Sequence, residues 1–180
     1  MLDNFPSPAA TVVRTAKNRI FSAGLENPNQ IAYSKEYVVN ESVNFAADFT
    51  IQVDARGGSI TALAEMDEKL VIFKENAIFY LTGDGPDSTG LNGQFTVTAV
   101  ATDVGTVEPE SVVLFPEGLM FKSRKGIWIL TRGLQTEYIG APVQVYNDLN
   151  ITSAVVVPDL NQVRFTTSGG PSLVYDYYYK

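Results

Sequence analysis

The strongest constraint on the fold of this chain is a pattern that occurs four times: a short apolar run, a turn, a second apolar run, a turn and a third apolar run. The matching position in the second run is taken by Ile20, Leu70, Leu119 and Val163, so that successive copies are 50, 49 and 44 residues apart. A repeat of that length has room for about four strands. The spacing therefore predicts a β-propeller, in which four-stranded sheets are arranged around an axis.

The residues within the runs favour strands over helices. Residues 70–73 (LVIF) and 77–81 (AIFYL) are mostly β-branched, aromatic or Leu, and polar turn residues bound them. No stretch of about 12 residues combines a helical apolar period with helix caps. We therefore expect little or no helix.

A fourth run follows each of the first three repeats but not the last one, at residues 49–53, 95–100 and 138–142. This predicts an all-β, antiparallel, propeller-like fold of about four repeats with three to four strands each, as part of a larger or assembled propeller. Residues 1–180 would form one domain, a segment of a longer protein, with repeats at residues 11–53, 58–100, 111–143 and 151–180. The incomplete last repeat would leave two sheet faces and one edge uncovered, so we expect contacts with other copies or with the remainder of a longer chain.

Composition limits the partners of the protein. The net charge is −7 and the isoelectric point is about 4.5, whereas affinity for a nucleic-acid backbone comes mainly from Lys and Arg. The charge therefore argues against tight or sequence-specific binding of a nucleic acid, while an acidic wall past which DNA slides is physically possible. The longest apolar stretches fall far short of the ~20 residues of a membrane helix, so no membrane span is predicted.

The chain has no His and no Cys, which removes His-dependent triads, imidazole bases and the usual zinc sites. Residues 102–110 carry three carboxylates, Asp103, Glu108 and Glu110. Paired carboxylates serve glycoside hydrolysis when they face each other across a cleft, but acidic residues are also common in solvated turns. We predict that the protein is not an enzyme and has no cofactor.

Residues 82–93 form the most elaborate loop of the sequence, with Asp84, Asp87 and Asn92 among several glycines. Oxygen ligands of this kind bind hard cations such as Ca²⁺. The loop lacks the spacing and the closing Glu of an EF-hand. The same residues also serve as turn formers between two strands, so both interpretations stay open.

Aromatic residues are the candidates for an interaction surface. Trp128 stands between Ile127 and Ile129 in a predicted third strand, where it would pack between sheets or present a stacking platform for a sugar. Tyr175, Tyr177 and Tyr179 alternate along the last predicted strand. This alternation predicts a shared face that would stack against a neighbour.

Four strings, taken together and in order, resemble the β-propeller region of tail nozzle proteins, the tail tubular or packaged-DNA-stabilising proteins of short-tailed bacteriophages. The similarity runs from Asn18 to Asp176 and is carried by NRIFSAGLENPNQIAYSKEY, ITALAEMDEKLVIFKENAIFYLTGDGPDSTG, ATDVGTVEPESVVLFPEGLMFKSRKGIWILTRGLQTEYIGAPV and ITSAVVVPDLNQVRFTTSG.

The resemblance implies a structural virion component, built as a ring of subunits below the portal, that takes part in tail assembly and in the retention and passage of DNA. It implies contacts with the portal and other tail proteins, a location in the virion tail after assembly in the host cytoplasm, and no catalytic residues. Such proteins are longer than this chain, which resembles a piece of one. The alternative is a carbohydrate-binding propeller, either a lectin or a receptor-binding adhesin.

Overall fold

A computed structural model describes residues 2–179, which form four antiparallel sheets that follow one another along the chain. Met1 and Lys180, the last residue of the predicted fourth repeat, lie outside the described residues. The helical content consists of short 3₁₀ segments, at Pro109–Ser111, Ala141–Tyr146 and Pro158–Leu160. The prediction of an all-β fold is therefore confirmed. Within residues 2–179, no helix has the length and apolar character needed to cross a membrane.

Each sheet is a simple meander whose strands pair in sequence order. The first sheet contains β1 (Val12–Ala16), β2 (Arg19–Ala23), β3 (Gln30–Ser34) and β4 (Phe45–Gln52). The second contains β5 (Ile60–Met66), β6 (Lys69–Lys74), β7 (Ile78–Thr82) and β8 (Thr96–Ala101). The third contains β9 (Val113–Phe115), β10 (Gly118–Ser123), β11 (Gly126–Thr131) and β12 (Thr136–Tyr138). Within residues 2–179 the fourth contains only β13 (Ile151–Val157), β14 (Gln162–Thr167) and β15 (Leu173–Asp176), so the predicted strand counts are confirmed. The run predicted at residues 138–142 is wrong in position, because β12 ends at Tyr138 and a 3₁₀ segment begins at Ala141.

Turn chemistry explains the first hairpin of the first two sheets. Lys17 and Asn18 connect β1 to β2 with φ values of 49° and 58°, and Asp67 and Glu68 connect β5 to β6 with 48° and 61°. Two successive residues with positive φ form a type I′ turn, whose twist matches that of the flanking strands. These turns fix the register of both hairpins.

The position that defines the repeat has the same place in all four sheets. Ile20, Leu70, Leu119 and Val163 are each the second residue of the second strand. Leu70, Leu119 and Val163 are buried in the core shared with the preceding sheet. Ile20 has no preceding sheet, and it is half-buried on the outer face of the first sheet. Residues at the equivalent position of each repeat therefore point to the same side of their sheets.

Three hydrophobic cores lie between consecutive sheets. Phe21 and Leu70 belong to the core between the first and second sheets, Phe73 and Phe121 to the next, and Phe165 to the core between the third and fourth. Among the described residues, no buried cluster joins the fourth sheet to the first. At the first and last of these cores the first strands are neighbours, since β1 lies against β5 and β9 lies against β13.

The residues before β1 contact the first sheet at two of its strands. Phe5 pairs with Phe45 of β4, and the Thr11 amide donates to the carbonyl oxygen of Ala23 at the far end of β2. Residues 6–10 therefore connect the β4 edge of this sheet to the start of β1. On the outer face, Ser22 is fully buried, whereas Val13, opposite it in β1, is 57% exposed.

The outer face of the fourth sheet is exposed. Val155, Arg164 and Val174 form one row across its three strands, on the side that faces away from the third sheet. Val155 and Val174 are each 52% exposed. Apolar residues are thus exposed on the outer faces of both end sheets, at Val13 of the first and at Val155 and Val174 of the fourth.

Candidate functional site

The connection between the second and third sheets, residues 102–112, contains a hub of buried hydrogen bonds. Thr106 is fully buried, and its amide donates to the carbonyl oxygen of Lys74 over 2.9 Å. The Thr61 hydroxyl donates to the carbonyl oxygen of Thr106 over 2.7 Å. The Thr106 hydroxyl donates to the carbonyl oxygen of Lys122 over 2.6 Å. One residue thus fastens the second sheet to the third.

A buried ion pair fastens the third sheet to the fourth. Lys122 Nζ lies 2.7 Å from Glu108 Oε1, and the two side chains are 7% and 16% exposed. Lys122 Nζ also donates to the carbonyl oxygen of Leu149 over 2.6 Å. The Ile151 amide, at the start of β13, donates to Glu108 Oε2 over 2.6 Å. Both oxygens of Glu108 are therefore used within the fold.

The three carboxylates predicted in residues 102–110 lie in different surroundings. Glu108 is paired with Lys122, whereas the exposed Asp103 carboxylate pairs with Lys125 at 3.3 Å, with side chains 77% and 55% exposed. Glu110 is exposed in the 3₁₀ turn. The arrangement gives each carboxylate a different environment instead of a shared catalytic cleft.

Lys74, at the end of β6, fastens the second sheet to the first. Its side chain is fully buried, and Nζ donates to Asn29 Oδ1 over 2.7 Å and to the carbonyl oxygen of Asp54 over 2.5 Å. Asn29 precedes β3, and Asp54 lies in the connection that follows β4. Burial of the ammonium group lowers the pKa of Lys74.

Arg19 connects the first and second sheets at the opposite end of their strands. Its guanidinium donates to the carbonyl oxygens of Ser34, at 3.0 Å, and of Pro86, and lies 3.3 Å from a Glu36 oxygen. Burial lowers the pKa of Arg19, and the nearby Glu36 carboxylate opposes this shift. The guanidinium carbon lies 5.7 to 5.9 Å from three ring centroids, those of Tyr33, Phe49 and Phe95. Because Pro86 and Phe95 belong to the connection between β7 and β8, Arg19 holds that connection against the first sheet.

Asp87 organises the loop that was considered as a cation site. Asp87 Oδ1 accepts from the amides of Thr89 (2.8 Å) and Leu91 (3.2 Å), and Oδ2 accepts from Asn92 Nδ2 (2.8 Å). Hydrogen bonds from the Thr89 hydroxyl, Asn92 and the two amides hold the pKa of Asp87 well below its usual range. Asp84 instead lines a separate acidic cleft. Among residues 2–179, no three carboxylates come together in the way that a metal site requires.

That cleft defines an acidic rim, consisting of Glu36, Glu65, Glu68 and Asp84. It has a volume of about 400 Å³ and is also lined by Lys17. In a meander, the turns between first and second strands lie at the same end as the turns between third and fourth strands, which brings these acidic residues together. The excess of carboxylates gives this end a negative potential that repels other polyanions.

Trp128 packs between sheets. It lies in β11 opposite Tyr138, with ring centroids 5.2 Å apart, and contacts the core between the second and third sheets. Its indole nitrogen is buried without a hydrogen-bond partner. The structure thus places Trp128 within a packed sheet and not in a loop at a rim.

The three alternating tyrosines do not share one face. Tyr175 and Tyr177 pack at the core between the third and fourth sheets, 6.5 and 5.8 Å from the Phe115 ring centroid. β15 ends at Asp176, whose Oδ1 accepts from the amides of Tyr178 and Tyr179 at 3.0 and 3.1 Å. This turn leaves Tyr179 82% exposed, with its ring against that of Tyr178.

Sequence reasoning did not single out the buried cations Arg19, Lys74 and Lys122 as junction residues. A signal was present, since each adjoins or ends an apolar strand, in RIFSA, KLVIFK and GLMFKS. A charged residue within such a run must be buried with partners, and the partners come from other sheets and connections.

The chain matches no protein-family model, and no curated protein matches it either. The resemblance to tail nozzle proteins therefore stays a prediction that rests on the four sequence strings.

Proposed function

We propose that this protein is a non-enzymatic, structural part of a virion, a propeller-like segment of a phage tail nozzle. The observation that carries the proposal is the direct fastening of each sheet to the next by a core and by buried polar contacts, as at Lys74, Thr106 and the Lys122–Glu108 pair. Such an arrangement gives a stiff body with few moving parts. Stiffness suits a particle that holds packaged DNA under pressure.

In this proposal the four sheets are consecutive blades of a propeller. The support is that Leu70, Leu119 and Val163 all pack toward the preceding sheet, and that β1 lies against β5 and β9 against β13. Further blades from a longer chain or from other copies would complete the ring, which then contacts the portal and other tail proteins.

The acidic rim would face the path of the DNA. A surface of carboxylates does not hold a phosphate backbone, so DNA would slide past it without binding. The purified protein should accordingly give no electrophoretic shift of duplex DNA at physiological salt.

The test of the proposal is disruption of the coding sequence in a phage that carries it, with complementation by the intact chain. Loss of the protein should give particles without complete tails or particles that lose packaged DNA. Complementation with the rim variant Glu65→Lys, Glu68→Lys should restore assembly but slow DNA ejection. Glu110→Lys, an exposed change in the connection between the second and third sheets, should behave like the intact chain. Infectious, tailed particles without the protein would contradict the proposal.

Carbohydrate binding is a second proposal, and one observation favours it. The exposed rings of Tyr178 and Tyr179 lie with centroids 4.9 Å apart and could stack on a sugar. Binding on a glycan array that is lost in Tyr178→Ala, Tyr179→Ala would support this role. Absence of binding to any glycan on the array would contradict this second proposal.

A further inference from the structure

A cleft of about 720 Å³ lies between the outermost strands of the first and second sheets. Residues 48–52 of β4 form one wall, and residues 93–97, which lead into β8, form the other. Sites for small organic ligands have volumes of about 300 to 1,000 Å³. The cleft therefore has the size of a small-molecule site.

Tyr33 of β3 lines this cleft, although the residue is only 5% exposed. Its ring stacks on that of Phe49, with centroids 4.9 Å apart, and meets the edge of the Phe95 ring at 5.0 Å. These contacts fix the position of the hydroxyl group. A Tyr this deeply buried usually has a hydrogen-bond partner for its hydroxyl, but within residues 2–179 no group bonds to that of Tyr33.

The Tyr33 oxygen is also open to the space outside the fold. Among the described residues, the side-chain polar atoms that are sealed from solvent without a partner belong to Arg19, Ser22 and Trp128. The unpaired oxygen of Tyr33 is not among them, so it reaches accessible space, and the lining places that space in the cleft. The hydroxyl can therefore donate to a ligand there, or accept from it.

The polar groups around the cleft favour an uncharged ligand. Four lining side chains are exposed and make no hydrogen bond in the described part of the chain, namely Asp48, Thr50, Gln94 and Thr96. The described lining contains no Lys or Arg, so it offers an anionic ligand no opposite charge. A cationic ligand would meet one exposed carboxylate, which contributes little in water. Hydroxyl and amide groups instead match a ligand that both donates and accepts.

Apolar side chains alternate with these polar groups along both walls. Ile51 follows Thr50 in β4, and Phe95 stands between Gln94 and Thr96. Ile51 and Phe95 are half-buried members of the lining. A saccharide has the matching surface, because its rings combine apolar C–H faces with hydroxyl groups that both donate and accept hydrogen bonds.

We propose that this cleft binds an uncharged oligosaccharide. The Tyr33 hydroxyl pairs with a sugar hydroxyl at the base of the cleft, Asp48 and Gln94 bind further hydroxyls at the rim, and a C–H face of the sugar lies against Phe95. The inference does not rest on a role in a phage tail. It also concerns a different place from the exposed rings of Tyr178 and Tyr179, which follow the last strand of the fourth sheet.

The experiment is a glycan array of neutral, sialylated and sulfated oligosaccharides, probed with the full chain. Neutral glycans that bind are then titrated by calorimetry at concentrations up to about 1 mM, which covers weak binding. Tyr33→Phe keeps the ring and removes the hydroxyl, and it should weaken binding about tenfold, since a sugar hydroxyl is left unpaired. Tyr80→Phe, which removes the hydroxyl of a half-buried Tyr outside the cleft, should bind like the intact chain.

A second pair of variants tests the rim, where no folding contact is at stake. Gln94→Ala, an exposed change in the lining, should weaken binding severalfold, whereas Gln135→Ala, an exposed change in the third sheet, should not. Circular dichroism shows that all four variants are folded.

An array without binding to neutral glycans would overturn the inference, and so would a preference for sialylated or sulfated ones. Unchanged affinity in both Tyr33→Phe and Gln94→Ala would overturn it as well. Binding that these two variants keep and Tyr178→Ala, Tyr179→Ala loses would assign the sugar to the exposed rings instead of the cleft.

Discussion

Three cations, Arg19, Lys74 and Lys122, lie inside the protein, and each is held by groups from another sheet or from a connecting segment. Burial of a charge is costly unless hydrogen bonds and an opposite charge compensate for it. At the residue scale, these side chains therefore favour one relative placement of the sheets, since a shift would leave a buried charge without its partners.

Glu108→Gln tests this at the third junction. The amide group removes the negative charge beside Lys122, and its NH₂ group cannot accept from either Lys122 or the Ile151 amide. We expect the free energy of unfolding, measured with urea, to fall by about 3 kcal/mol. Asp103→Asn removes the exposed pair with Lys125 in the same connection and should cost less than about 1 kcal/mol. Equal losses in both variants would contradict the structural role of Glu108.

Asp87 gives a prediction for acid pH. Its pKa in the folded protein lies below the ordinary value of 3.8, so its hydrogen bonds stabilise the loop above that value. The stabilisation is lost as pH falls from the ordinary pKa through the folded pKa. In an NMR titration, the amide shifts of Thr89 and Leu91 should stay constant through the ordinary Asp range and change only at lower pH.

The matched variants for this titration are Asp87→Asn and Asp84→Asn. The first should remove the titration of the Thr89 and Leu91 amides, and the second should leave it intact. A transition of the Thr89 amide at the ordinary pKa of an Asp would show that the loop does not depend on the Asp87 carboxylate.

At the scale of elements, the strands could be predicted and the junctions could not. Apolar runs such as residues 70–73 and turns such as Asp67-Glu68 are local signals, and they gave both the strand counts and the repeat. The partners of Lys122 are Glu108 and Leu149, which come from two different connections. Local patterns do not specify such pairings, because each depends on how whole sheets pack. The same limit applies to Tyr179, whose exposure follows from the turn that Asp176 makes.

Gly105 tests how closely a connection must approach a strand. A Cβ atom at this position would lie 2.1 Å from the carbonyl oxygen of Lys74 and 2.7 Å from the Ala77 nitrogen. Gly105→Ala should therefore push residues 102–112 away from β6 and reduce the free energy of unfolding by about 2 kcal/mol. Gly169→Ala, where a Cβ meets nothing within 4 Å, should change stability by less than about 0.5 kcal/mol. If Gly105→Ala left the free energy of unfolding unchanged, the connection would not be closely packed against β6.

At the scale of the whole molecule, the two ends of the row of sheets differ. On the outer face of the first sheet Val13 is exposed and Ser22 is buried, whereas Val155 and Val174 are exposed on either side of Arg164 on the last sheet. Exposed apolar side chains on a sheet face favour association. The fourth sheet, which exposes two Val side chains, is an end at which we expect a contact.

We therefore expect the isolated chain to self-associate at micromolar concentration through the outer face of the fourth sheet. Sedimentation velocity should show a concentration-dependent mass for the intact chain and a monomer for Val155→Asp, Val174→Asp. Val145→Asp changes an exposed Val outside this face and should associate like the intact chain. A monomeric intact chain would contradict the expectation.

Each described sheet is built from one uninterrupted piece of chain, and its strands pair only with their neighbours in sequence. No sheet therefore waits for residues that the ribosome adds later, and the first can close its hydrogen bonds once β4 has emerged. Local pairing of this kind favours fast folding. Among the four sheets, each new one after the first also meets an already completed sheet against which it can pack.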